Sequence, residues 1–374
     1  MNRAIKIRIY PSKAQEELFL KTFGCRRFVY NQALSKANEA YRNSKESFSY
    51  VTAAKGLVEI KQKFPFLKEV DSVALQQSLR HLQTAFKNFF EKNASKPKFK
   101  SKKAKQSFTT MMNGNSIKLL GNKVKIPKSG WIKAVIHRQP GKDWKLNSAT
   151  VSKDVDGKWY ISLVFEFEKE VIKIPVPAKS IGLDYKSDGL FMDSDGNIAS
   201  NYKFFRQNQK KLAKAQRKLA RKIGYKKSEN KSKNFLRQLL RVNKTHCHIK
   251  NCRKDFLHKL STEIANQYDV VSVESLDMKA ISNKGFHNGK STMDNGYGLF
   301  LSMLEYKLGE QGKYFVKIDK WFPSSQICCK CGKRKKLSLA DRTYTCECGN
   351  NIDRDWNAAI NIDNEGLRML KDVA

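Results

Sequence analysis

Acidic residues are scarce in this chain: 35 Asp and Glu stand against 73 Lys and Arg in 374 residues, a formal net charge of +38. Such an excess repels itself in a compact fold unless a polyanion lies against it, and nucleic acid is the natural counterion. Long apolar runs are missing too. No stretch approaches the roughly 20 residues of a membrane-spanning helix, and neither an amphipathic anchor nor a lipidation signal is found. Met1 to Tyr10 alternates basic and apolar residues and does not read as a signal peptide. A cytoplasmic, nucleoid-associated place in a bacterial or archaeal cell is therefore expected. A phosphate-cradling glycine loop is absent, which disfavours ATP-driven mechanisms, and so is a Ser/His/Asp arrangement. The six histidines show no ligand pairing, since His246 and His248 are too close in sequence to share one helix face. No internal repeat is found.

What is present supplies a core: 40% hydrophobic and 11% aromatic residues suffice for two or three domains. Residues 3–10 alternate as a half-buried strand, and Pro11-Ser12 turns the chain into a helix beginning near Lys13. Up to about Lys92 the pattern is helical, with Val73, Leu75, Leu79, Leu82, Phe86 and Phe90 recurring at three or four. Residues 93–106 form a Lys and Ser linker, after which short strands return at 116–120, 123–126, 132–137, 150–152 and 159–166. The simplest topology is one β-domain whose first strand is Met1–Tyr10, interrupted by helices. Beyond Pro177, strands alternate with helices, which predicts an α/β sheet. Ile181–Tyr185 is a buried strand carrying Asp184, and Val270–Glu274 is a second apolar strand ending on an acid. Over 203–260 Lys and Arg crowd two helices broken at Gly224, with Glu229 and Asp255 the only acids. Blocks of like charge are costly unless something anionic covers them.

Two constellations carry chemistry. Deprotonated thiolates at Cys328, Cys331, Cys346 and Cys348 have the spacing of a tetrahedral structural Zn²⁺ site, with Gly332 and Gly349 each following a second cysteine. The Cys-x-Cys half is tighter than the usual spacing and Cys329 offers a fifth thiol, so the ligand set stays open. Cys25, Cys247 and Cys252 read as core or incidental residues. Directly after the knuckle come Asp353-Arg354-Asp355-Trp356-Asn357-Ala358-Ala359-Ile360-Asn361. Two helical positions two apart point about 200° from each other, so one of Asp353 and Asp355 caps the helix while the other is free to face a metal. For Asp184 and Glu274 the ordinary reading is a turn former or a helix cap.

Several segments carry a resemblance in order along nearly the whole chain: Phe23-Gly24-Cys25-Arg26-Arg27-Phe28-Val29-Tyr30-Asn31, Gly157-Lys158-Trp159-Tyr160, Asp255–Ser261, Phe322-Pro323-Ser324-Ser325-Gln326, and the closing Asp-Arg-Asp-x-Asn-Ala-Ala-x-Asn. The chain resembles TnpB of the OrfB group, transposon-encoded RNA-guided DNA endonucleases related to type V CRISPR effectors. The resemblance implies an α+β multidomain protein: a wedge β-barrel (1–12 and 93–178) with an inserted helical recognition domain (13–92), then an RNase H-like RuvC nuclease domain (179–320 and 351–374) with basic helices, a lid at Asp294–Gly298 and an inserted zinc finger (321–350). It implies that Asp184, Glu274 and Asp355 are catalytic and hold two Mg²⁺ ions, and that one structural Zn²⁺ sits in the finger. The implied partners are a guide RNA from the transposon end and a double-stranded DNA target, bound by a monomer. By position in the family pattern Tyr50, Ser72, Gln76 and Asn113 read a short motif flanking the target, Gln76 being suited to bond an adenine edge. Tyr185-Lys186-Ser187-Asp188 departs from the small glycine-containing turn often seen after the first acid. Two other functions share these features: a nuclease-silent RNA-guided repressor, and a guide-independent DNA transposase.

Overall fold

In a computed structural model the chain divides into two compact units, Met1–Lys169 and Glu170–Ala374. Residues 1–200, 202–222, 231–282, 289–338 and 341–372 are described. Among them no helix is long and apolar enough to cross a membrane.

The alternation of the opening residues produces β1 (Asn2–Tyr10), which buries Ile5, Ile7 and Ile9. Pro11 ends it. Ser12 then caps α1 (Lys13–Ser44): its hydroxyl accepts from the Gln15 N–H, and the Gln15 side chain accepts from the Ser12 N–H. α2 (Tyr50–Lys63) and α3 (Ser72–Phe90) follow, α3 burying Leu75, Leu79 and Leu82 on one stripe. The remaining strands are β2 (Gln106–Met111), β3 (Lys118–Leu120), β4 (Lys123–Ile126), β5 (Gly130–Val135), β6 (Lys145–Lys153) and β7 (Trp159–Glu166). They form an antiparallel sheet in the order β2-β6-β7-β1-β5-β4-β3. β1 lies between β7 and β5, so the three helices interrupt a sheet whose first strand precedes them. Phe19 and Phe23 of α1 pack onto Phe108 and Trp159 with ring centroids between 5.5 and 5.9 Å apart. Each such burial contributes about 1.5–3 kcal/mol.

The closed wedge barrel implied by the resemblance is not found. β2 and β3 stand at the two ends of the sheet, and no pairing joins them among the described residues. Arg26 of α1 donates to the Ser107 carbonyl and Arg27 to the Gln106 side chain, so helix side chains serve part of the β2 edge. β3 offers only three residues for pairing.

The second unit holds β8 (Ser180–Tyr185), β9 (Phe191–Asp193), β10 (Ile198–Ala199), α4 (Phe204–Ala220), α5 (Lys233–Gln267), β11 (Val270–Glu274), α6 (Met278–Ile281), α7 (Gly289–Asn295), α8 (Tyr297–Glu310), β12 (Tyr314–Ile318), β13 (Thr343–Thr345), β14 (Asn351–Asp353) and α9 (Arg354–Lys371). Residues 170–179 run with this unit. Ile174 bonds Gly312 and the Tyr314 hydroxyl, and Asp269 accepts from the N–H groups of Ala178 and Lys179. The sheet order is β10-β9-β8-β11-β12, with β8, β11 and β12 mutually parallel and the β9–β10 hairpin antiparallel.

Strand alternation sets the two faces of that sheet. Ile181, Leu183, Val271 and Val273 join one apolar core with Phe300 and Leu304 of α8. The opposite face presents Gly182 and Ser272, and α9 lies on it. The approach is close: a Cβ on Gly182 would fall 2.2 Å from the Ala359 carbonyl, and one on Gly366 would fall 1.9 Å from the Ser272 hydroxyl. Only glycine permits this contact of helix and sheet.

Candidate active site

Asp184 and Glu274 follow Gly182 and Ser272 by two residues, so the pleat turns both toward the face that α9 covers. β8 and β11 run parallel with Leu183 opposite Val273. The next residues, Asp184 and Glu274, therefore stand side by side on strands about 4.8 Å apart. Asp355 sits in the first turn of α9, one turn before the Ala359 carbonyl that rides over Gly182. Asp353 is the helix cap and accepts from the N–H groups of Asp355 and Trp356, so Asp355 is not the residue that caps α9. Asp184 therefore lies within electrostatic reach of both Glu274 and Asp355.

Their electrostatics show the strain of that arrangement. Asp184 is packed about closely although its surface is only half-buried. Burial first, then the charges of Glu274 and Asp355, raise its carboxyl well above the usual range. Glu274 is also raised by burial, against a bond from Ser324, whose Oγ donates to Oε1 at 2.6 Å. For Asp355 burial is outweighed by Lys186, whose ammonium lies 2.6 Å from Oδ2, and by Arg354 at 3.4 Å from Oδ1, so its carboxyl is lowered. Lys186 belongs to the turn that departs from the glycine-containing form. The Tyr297 hydroxyl, buried with no hydrogen-bond partner, also feels the charges of Asp184 and Glu274.

Three carboxylates on one face, two of them raising the carboxyl of Asp184, are hard oxygen donors of the kind that suit a divalent cation such as Mg²⁺. The segment expected as a lid, Asp294–Gly298, joins α7 to α8. Asp294, Asn295 and Tyr297 are buried there, and Gly296 takes the left-handed conformation. Asn295 donates to the carbonyls of Lys186 and Ser187 and so fixes the turn after Asp184.

Beyond β12 the chain enters the knuckle. The four sulfurs of Cys328, Cys331, Cys346 and Cys348 lie within 4.8 Å of one another, with Cys328–Cys348 and Cys331–Cys346 both at 3.6 Å. A tetrahedral zinc with about 2.3 Å bonds needs sulfur separations near 3.8 Å, so the cluster fits structural zinc. Gly332 and Gly349 adopt positive φ at the two turns. Burial works against ionising Cys328, but the N–H groups of Cys331 and Lys330 and the Asn350 amide outweigh it and pull the thiol down to about 6. Cys329 stands outside the four. Its N–H donates to Asn357 and its sulfur accepts from Asn350.

Of the residues expected to read a flanking motif, Ser72 and Gln76 share an exposed face of α3 with Arg80, at helical spacing of four. Arg80 lies over the Tyr50 ring, 4.6 Å from its centroid, and Lys61 donates to Ser72. Asn113 is exposed in the loop after β2, where its N–H donates to Ser116. It makes no hydrogen bond to the other three.

The basic helices α4 and α5 pack through Leu212, Leu219, Phe235 and Val242. Their outer sides form a cleft of about 390 Å³ lined by Lys211, Lys214, Lys218, Arg241 and Lys244. The break expected at Gly224 lies outside the described residues. Sequence reasoning did not single out Ser324, Asn357 and Asn361, although all three stand inside the quoted motifs. Buried polar side chains within an otherwise apolar helix, as in Asn-Ala-Ala-Ile-Asn, were the available signal.

Comparison with known proteins places this arrangement. Residues 297–362 match the family model "Cas12f1-like, TNB domain", residues 162–284 match "Probable transposase", and residues 1–46 match "Helix-turn-helix domain", which here covers β1 and α1. The chain is 37% identical to a "Putative RNA-guided DNA endonuclease" of Streptomyces pristinaespiralis, over 98% of this chain and 90% of that one. It is 31% identical to "Putative RNA-guided DNA endonuclease InsQ" of Escherichia coli K12, over 98% and 93%. Its fold is similar to the protein in a cryo-EM structure of a Cas12f1–sgRNA–target DNA complex, with TM-score 0.53 and 15% identity over 97% of this chain and 99% of that one.

Proposed function

We propose, from the premise that this chain belongs to the TnpB (OrfB group) family of transposon-encoded RNA-guided DNA endonucleases, that it cuts DNA matched to a guide RNA beside a short flanking motif. One observation carries the reading: Asp184 and Glu274 stand side by side on parallel strands, on the face covered by the helix whose first turn holds Asp355, and burial followed by the charges of Glu274 and Asp355 raises the Asp184 carboxyl, on a protein of net charge +38 that otherwise attracts anions. Like charges held this near one another disfavour ionisation of Asp184, and a bound cation would relieve it. Asp184, Glu274 and Asp355 hold the Mg²⁺ ions. When bound, these supply an activated water and a stabilised leaving oxygen for phosphodiester hydrolysis. The strand order β10-β9-β8-β11-β12, with one antiparallel hairpin beside three parallel strands, supports an RNase H-type nuclease domain.

The cations of α4 and α5 far outnumber the acids of those helices, Asp255 and Glu263, and suit a phosphate backbone. Sequence discrimination then comes from base pairing between guide and target strand. The exposed face of Ser72, Gln76 and Arg80, with Tyr50 beside it, is where protein reads the flanking motif, Asn113 contributing from the β2 loop.

Purified protein is expected to carry a small RNA and, with Mg²⁺, to cut a plasmid matched to it. Asp184→Ala is expected to retain RNA and DNA binding while cutting falls on the order of 10³-fold or more. Sequencing of the copurified RNA and a plasmid assay check both. Guide-directed binding without cutting by the wild type would turn the reading to a repressor, and strand-transfer products without RNA would turn it to a transposase.

A further inference from the structure

The knuckle and Glu274 are joined by a run of hydrogen bonds. α9 carries Asn357 and Asn361 one turn apart, both buried. Asn361 Nδ2 donates to the carbonyls of Ser324 at 2.8 Å and Ile327 at 2.7 Å. Asn357 Nδ2 donates to the same Ile327 carbonyl at 2.7 Å, and its Oδ1 accepts from the Cys329 N–H at 3.0 Å. The two amides thereby clamp residues 324–329, the stretch that delivers Cys328 to the sulfur cluster. At the near end of this stretch Ser324, itself buried, gives its hydroxyl to Glu274 Oε1 at 2.6 Å.

A glutamate side chain on the last residue of a strand has three rotatable bonds and several rotamers open to it. A short bond from a hydroxyl whose backbone is fixed selects among them, and bonds to an ionised acceptor are among the stronger ones. Resting on the reading of the acids as a divalent-cation site, we infer that Ser324, Asn357 and Asn361 are positioning residues that couple the order of the knuckle to the orientation of Glu274. The asparagines of the closing motif thus act on the acid site through the knuckle's first strand, while Asp355 of the same motif acts on it directly.

The test uses the full chain with zinc bound and follows Mn²⁺ binding by electron paramagnetic resonance, alongside guide-directed cutting. Ser324→Ala is expected to weaken Mn²⁺ about 10-fold, the scale on which partners of ligating groups act. The Mn²⁺ needed for half-maximal cutting should rise by the same factor, with the metal-free melting temperature unchanged. Ser324→Thr, which keeps the hydroxyl, should recover most of the affinity. Asn361→Asp removes the donor while keeping the shape, and should weaken Mn²⁺ in the wild-type background but add nothing to Ser324→Ala, because both act through one hydroxyl. Wild-type Mn²⁺ affinity in Ser324→Ala overturns the inference, and so does a full further loss in the double variant. Asp184→Ala separates the two levels. If it binds Mn²⁺ as the wild type does, the acid-site reading itself fails; if it loses Mn²⁺ while Ser324→Ala does not, only the coupling fails.

Discussion

The sulfur cluster and the carboxylate cluster sit at the two ends of one hydrogen-bonded stretch, yet they are built in opposite ways. The acids are placed by a scaffold that folds without them: Asp184 and Glu274 by two parallel strands in fixed register, Asp355 by a helix pressed onto glycines at 182 and 366. The knuckle has little scaffold beyond the two asparagines of α9 that clamp its first stretch. Its strands β13 and β14 have three residues each, and Tyr344, buried with its hydroxyl on the carbonyls of Gln326 and Lys333, is its main apolar anchor. One site can therefore wait for its cations, while the other cannot exist without its own. Small metal-stapled segments and sheet-borne acid sites thus solve different problems within one unit.

The contrast is sharpest on metal removal. Structural zinc contributes on the order of 10–16 kcal/mol in small knuckles. A strong chelator, or Cys331→Ser, is therefore expected to unfold residues 324–353 while β8, β11 and β12 keep their protection in amide exchange. Removing Mg²⁺ should leave both regions folded. Loss of protection across the sheet on zinc removal would break the distinction.

A smaller effect tests the acid side. Asp184 has a folded-state pKa above its unfolded one, so the folded state binds more protons across that interval and stability falls as pH rises through it. Without divalent cation, Asp184→Asn should stabilise the protein at neutral pH by on the order of 1–3 kcal/mol. The gain should shrink on acidification and vanish below the ordinary carboxylate range. Denaturant melts between pH 4 and 8, in buffer with a chelator selective for magnesium, measure this; a destabilised Asn variant at pH 7 would show that the acids are not strained.

The same contrast explains what could be read from the chain. The cysteine spacing is local chemistry, and its glycines carry the positive φ that the turns require, so the knuckle was legible directly. The opening strand, the Ser12 cap and the amphipathic stripe of α3 were legible for the same reason. That Glu274 and Asp355 act on Asp184 is set by sheet register and helix crossing, which no short window encodes, and only the family resemblance pointed to these three together. β2 was missed because its Gln-Ser-Phe-Thr-Thr-Met sequence follows a lysine-rich linker and shows weak alternation. The barrel came from the family resemblance and not from the strands, and neither reveals that arginines of α1 serve the β2 edge. Lys186 was visible as a departure from the family turn, but its partner on α9 was not.

That partner gives the smallest and most discriminating effect. The Lys186 ammonium and the Asp355 carboxylate meet at 2.6 Å with about one fifth of each side chain exposed, so the pair is only partly desolvated. Lys186→Met leaves Asp355 with Arg354 alone and should cost about 1–2 kcal/mol of metal-free stability, below the 3–5 kcal/mol of a fully buried pair. Asp355 has a lowered carboxyl, so the stability it contributes is present above its ordinary pKa and is lost as pH falls through the depressed value. The gap between wild type and Lys186→Met should hold from neutral pH down to the carboxylate range and close below it, opposite in sign to the Asp184→Asn gain over the same titration. Divalent binding should move the other way, because the ion no longer competes with an ammonium for Asp355, and calorimetric titration with Mg²⁺ should show a lower Kd in the Met variant. A higher Kd would mean that Lys186 supports the ion instead of standing in for it, and the picture of a scaffold that holds its acids ready with a resident cation would have to be given up.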